Sequence, residues 1–161
     1  MRTGSLRRSA LAAQRFIPRS GDLTGFLEAL AQSRGRPIML LPVPRDADDP
    51  SGLWIATEHN DYIAFPEDAA PARKAAIVCH EMAHMLLGHA PQPGPEGLEA
   101  LAVAAAPTLD PDVAARFLRR HGYASSTEAD AENLGTRLAA ELARRESEAR
   151  APRDRIYDRM R

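Results

Sequence analysis

His80-Glu81-Met82-Ala83-His84 places two imidazoles four residues apart, with a carboxylate beside the first. On an α-helix, positions i and i+4 share a face, one turn above the other. Two rings so placed can close on one ion, and zinc is the ion that neutral imidazole suits without redox chemistry. Glu81 follows the first ring, where it would take a proton from the attacking water of a hydrolysis. H-E-x-x-H is the zinc-peptidase pattern. The flanking residues Ala75 to Cys79 and Met85 to Leu87 are apolar, so the motif sits in a helix with a buried face. Two histidines and a glutamate are costly to bury there unless something pairs with them. The competing explanation is an amphipathic helix that carries two histidines with no metal.

A catalytic zinc site takes three protein ligands and keeps one position open. The extended pattern H-E-x-x-H-x-x-G-x-x-H would need Gly at 87 and His at 90, where this chain has Leu87 and Ala90. His89 therefore reads as a helix-end residue suited to the C-terminal dipole. His59 and His121 stand alone in the sequence. The better source is the acidic run Thr127-Glu128-Ala129-Asp130-Ala131-Glu132-Asn133-Leu134-Gly135. Helical spacing gives it a buried face of Ala131, Leu134, Leu138 and Leu142. Glu132 points well away from that face. Glu128 and Asp130 flank it on opposite sides at similar angles, so periodicity leaves both open as the third ligand.

These residues must be held by a modest scaffold. Asp22 or Thr24 caps a helix to about Ser33, with Leu23, Phe26, Leu27 and Leu30 at helical spacing, and Gly35 and Pro37 end it. Ile38 to Val43 is a short apolar strand. Leu53 to Thr57 and Tyr62 to Phe65 surround the polar turn Glu58 to Asp61 and read as a hairpin. Pro66 stops the second of these strands, which places it near a sheet edge. Pro71 suits the first turn of the motif helix and Gly88 its end. Pro91 to Gly97 is a loop by composition. Short helices are expected over Leu98 to Ala106 and Asp110 to His121, and a long one from about Glu128 to Arg145 or beyond. The fold expected is α+β: a small, mostly antiparallel three-stranded sheet packed with the H-E-x-x-H helix and further helices, zincin-like in layout.

The chain of 161 residues is long enough for one domain with a real core. Residues 1–20 form a basic arm, 21–145 the domain and 146–161 a charged tail. The formal net charge of −1 gives no ground for nucleic-acid binding. Met1 to Ser20 lacks the sustained apolar segment of a signal peptide, and no apolar run is long enough to span a bilayer. The single Cys79 excludes an intramolecular disulfide and fits a reducing compartment. A cytoplasmic location is the expectation.

From Leu23 to Leu142 the sequence resembles the ImmA/IrrE-like metallopeptidases, gluzincin-like zinc proteins. The resemblance lies in the order of elements, in His80-Glu81-Met82-Ala83-His84 running into Leu86-Leu87-Gly88-His89, and in the later acidic helix. That helix in the family carries a signature like E-x-E-A-N/E-x-hydrophobic-A, with the Glu before the Ala as third ligand. The resemblance puts the third ligand at Asp130, one methylene shorter than the family's Glu, with Glu128 as the fallback. It implies a Zn2+ endopeptidase with His80, His84 and Asp130 as ligands and Glu81 as catalytic base. The implied partner is a protein substrate, a helix-turn-helix repressor or similar regulator carried on a separate polypeptide. The substrate backbone is expected to add as a strand along Tyr62 to Phe65. The alternative from another class is a non-catalytic zincin-fold module that binds metal or a partner.

Overall fold

The computed structural model of this chain describes residues 11–43, 52–56, 59–90 and 125–151. The loop expected at Pro91 to Gly97, the short helices expected over Leu98 to Ala106 and Asp110 to His121, and His121 itself lie outside the described residues. The elements run in the order α1 (Leu23–Arg34), β1 (Ile38–Val43), β2 (Leu53–Ala56), β3 (Asp61–Pro66), α2 (Pro71–Leu87) and α3 (Ser125–Arg150).

Asp22 caps α1 by accepting a hydrogen bond from the Gly25 backbone N–H at 2.6 Å. Phe26, Leu27 and Leu30 form its buried stripe, and Gly35 closes it. Pro71 opens α2 without a side-chain cap, which its fixed φ makes unnecessary. Before α1, Ala13 and Ile17 are buried, and the Arg145 guanidinium of α3 donates to the Ile17 carbonyl. The second half of the basic arm is thus packed on the domain.

The sheet order is β1-β3-β2. β2 and β3 pair antiparallel, with Trp54 opposite Ile63, whereas β1 pairs parallel with β3, Leu40 opposite Ile63. The sheet is therefore mixed and not mostly antiparallel as expected. β3 is also central, not an edge, so both of its backbone rims are occupied and no substrate strand can add along Tyr62 to Phe65. Burial accounts for this placement. Asp61, Ile63, Ala64 and Phe65 are all buried, the near-continuous burial of a strand flanked on both sides. Pro42 falls in β1, and an edge strand tolerates the missing N–H.

Trp54 and Ile63 project into the main core with Val78, Cys79, Met82 and Ala83 of α2 and Ala131, Leu134, Leu138 and Leu142 of α3. Leu53, Ile55 and Ala64 line the opposite face with Val43. The apolar seam between α2 and α3 dominates their packing, since each buried leucine contributes roughly 1.5–3 kcal/mol. The Arg144–Glu148 and Glu146–Arg150 pairs of α3 lie in water and add far less. Among the described residues no helix is long and apolar enough to cross a membrane.

Candidate metal centre

The motif falls in the second half of α2, where the helix lies between the sheet and α3. Glu81 and His84 are buried, and the His80 side chain keeps 16% exposure. A crossing of unusual closeness brings α3 to this face. A Cβ on Gly135 would stand 2.8 Å from His80 Cα and 3.0 Å from His80 N. Real Cβ atoms do not approach that near, so only glycine lets the two backbones meet here. Residues one and two turns before Gly135 on the same stripe then face the histidines, namely Glu132 and Glu128.

His80 Nε2 and His84 Nε2 are 3.1 Å apart. Glu128 reaches both, with Oε2 at 3.3 Å from His80 Nε2 and Oε1 at 3.4 Å from His84 Nε2. These three residues offer ligand atoms all within 4.8 Å of one another, a group that could hold a metal ion. Its chemistry fits that use: two imidazole nitrogens and a carboxylate are gathered at one place between α2 and α3. Burial, and then the imidazoles of His80 and His89, push His84 down to about 3, so this ring is neutral and able to ligate across the physiological range.

Asp130, the expected third ligand, is not a member of this group; Glu128 is. Two residues apart on a helix, the two side chains diverge, and the Gly135 contact turns the Glu128 side toward α2. The Asp130 carboxylate instead acts on His89, where it and Glu128 partly offset the lowering that burial imposes. Glu132, set aside on periodicity, is 73% exposed yet brings Oε2 to 3.3 Å from His80 Nδ1. His89, read as a helix-end residue, places its Nδ1 2.9 Å from Nδ1 of His84. An isolated glycine inside an otherwise strong helical pattern was the sequence signal for the close crossing that decides among the acids.

Glu81 occupies the sheet side of the helix. Burial pushes its carboxyl up to about 8; the Glu128 carboxylate adds to the rise, and a hydrogen bond from the Trp54 backbone N–H opposes it. Its Oε2 is buried with no hydrogen-bond partner among the described residues. Gly52, leading into β2, packs directly on this side chain: a Cβ there would lie 2.9 Å from Glu81 Oε1. Trp54 is itself fixed from the far side, its indole N–H donating to Asp61 Oδ1 at 3.0 Å while Arg34 donates to Asp61 Oδ2 at 2.8 Å. Burial pushes the Cys79 thiol up to about 12, which removes it as a nucleophile.

No protein-family model, no curated protein and no solved structure matches this chain.

Proposed function

We propose that the chain is a zinc-dependent endopeptidase of the ImmA/IrrE type, with His80, His84 and Glu128 as the metal ligands and Glu81 as the catalytic base. The observation that carries the reading is Glu81. A carboxyl group buried beside a metal-ligand group, with one oxygen lacking any partner among the described residues, is expensive for the fold. Holding a metal does not require it, whereas hydrolysis does.

Zinc is favoured over larger, harder cations by the donor set, since two neutral imidazoles with one carboxylate suit zinc, whereas calcium and magnesium take oxygen ligands. Bound there, zinc would act as a Lewis acid on a scissile carbonyl and acidify the attacking water. Burial pushes the Glu81 carboxyl up to about 8, and a dication held beside it would favour the ionised form; its Oε2, free of other hydrogen bonds among the described residues, would then take the water proton and return it to the leaving amine nitrogen. The Trp54 N–H holds the carboxylate in position during both transfers. β2, whose outer side carries no further strand among the described residues, borders this carboxyl and is the edge along which a substrate backbone would lie. A helix-turn-helix repressor or a similar regulatory protein is the substrate class that the motif resemblance favours.

The test is cleavage of a degenerate peptide library, read by mass spectrometry, with zinc-loaded wild type and Glu81→Gln. Zinc-dependent cleavage that falls by about 10²–10⁴-fold in Glu81→Gln, with zinc content unchanged, is the expected result. Equal cleavage by both proteins refutes the role of Glu81. Stoichiometric zinc without cleavage in either would leave a metal-binding regulatory module.

A further inference from the structure

His84 is the more buried of the two motif histidines, with its side chain fully enclosed. Its two ring nitrogens face different groups. Nε2 points at His80 Nε2 and Glu128 Oε1, at 3.1 and 3.4 Å. Nδ1 points at His89 Nδ1, at 2.9 Å. A neutral imidazole carries one proton, on one nitrogen or the other. If the proton sat on Nε2, the lone pair would face away from Glu128 and His80, and the ring could not join them on a metal.

The end of α2 places His89 opposite the far nitrogen. Gly88 has φ 70°, and its N–H donates to the Met85 carbonyl while the His89 N–H donates to the His84 carbonyl at 3.0 Å. This is the paired hydrogen-bond pattern of a Schellman motif. In that motif the residue after the glycine packs on the residue whose carbonyl it binds, and the contact is ordinarily apolar. Here the two residues are His89 and His84, with ring centroids 5.0 Å apart at an interplanar angle of 65°. The helix terminator thus fixes the ring of His89 against the outer nitrogen of His84. Two nitrogens at 2.9 Å share one proton between them, because two lone pairs or two N–H groups would repel.

We infer that His89 is a positioning residue of the metal centre: its Nδ1 accepts the hydrogen bond from His84 Nδ1–H and so keeps His84 Nε2 unprotonated and aimed at the site formed with His80 and Glu128. The inference rests on the metal-site reading above. It assigns a structural task to Leu86-Leu87-Gly88-His89, which supplies no ligand. Metal-bound histidines are generally oriented by a partner on the other ring nitrogen, and losing that partner typically weakens metal binding about 10–100-fold.

The experiment is zinc affinity by competition with a chromophoric chelator, for wild type, His89→Ala and His89→Asn. The Asn side-chain oxygen can replace Nδ1 as an acceptor. The expected result is a loss of about 10–100-fold in His89→Ala that His89→Asn largely restores, with thermal unfolding midpoints of both variants close to wild type. A second readout is nitrogen-15 NMR of the zinc-loaded wild type, where the shared proton should give a scalar coupling between Nδ1 of His84 and Nδ1 of His89. Wild-type zinc binding left unchanged by His89→Ala overturns the inference alone. So does absence of the coupling in the zinc-loaded protein, or failure of a folded His89→Asn to bind better than His89→Ala. A wild type that takes up no zinc overturns this inference together with the reading beneath it.

Discussion

Gly135 of α3 lies against the backbone of His80 so closely that a methyl group on it would stand 2.8 Å from His80 Cα. One missing side chain therefore sets how near α3 comes to the motif helix. It also sets which of α3's acids reach the histidines.

Gly135→Ala should separate the two helices. The neighbouring atoms are backbone, which cannot turn aside, so overpacking of about 1–3 kcal/mol is expected. Urea denaturation measures that loss. Zinc affinity should fall with it, because Glu128 is carried outward on the same helix. An alanine variant of wild-type stability and wild-type zinc affinity would show that the crossing does not control the site.

Glu128→Ala and Asp130→Ala separate the two candidate third ligands. Zinc content after dialysis should drop sharply in Glu128→Ala and stay near one per chain in Asp130→Ala, since only Glu128 belongs to the donor group. The opposite pattern would mean that α3 turns about its axis when metal binds.

Asp61→Ala removes an acceptor that Arg34 and Trp54 share. Asp61 is fully buried and the Arg34 side chain only 23% exposed, so breaking the pair should destabilise the fold by about 3 kcal/mol. Trp54 is the only tryptophan in the chain. Its fluorescence should shift to longer wavelength as the indole loses its partner. An unchanged spectrum would show that packing alone fixes Trp54.

Asp22→Ala deletes the cap of α1 and should lower stability by about 1 kcal/mol at neutral pH. The hydroxyl of Ser20 and the N–H of Gly25 hold the Asp22 carboxyl below its ordinary value. The native state then binds fewer protons at this group than the unfolded chain does. The cap's contribution is therefore present above about pH 4 and fades as pH falls through the lowered native value. Urea midpoints of wild type and Asp22→Ala should converge at acid pH. A gap that stays constant would mean that the cap does not act through the ionised carboxylate.

The elements were legible wherever local chemistry decides them. Asp22 and Gly35 bracket α1, Pro71 and Gly88 bracket α2, and the turn between Leu53–Ala56 and Asp61–Pro66 marks an antiparallel pair. The parallel partner of β3 was not legible. A short apolar run such as Ile38 to Val43 can pair on either side of a hairpin, and nothing within the run selects the side.

At the site, local spacing was enough to put His80 and His84 on one helix face with Glu81 beside them, because four residues make one turn of helix. That Glu128 joins them, that Glu132 and His89 stand on the outer nitrogens of the two rings, and that Trp54 holds Glu81 came from the packing of separate elements. Helical periodicity fixes angles within one helix. It says nothing of how one helix is rotated and shifted against another, and here that is settled by the contact of Gly135 with His80 and by the left-handed turn at Gly88.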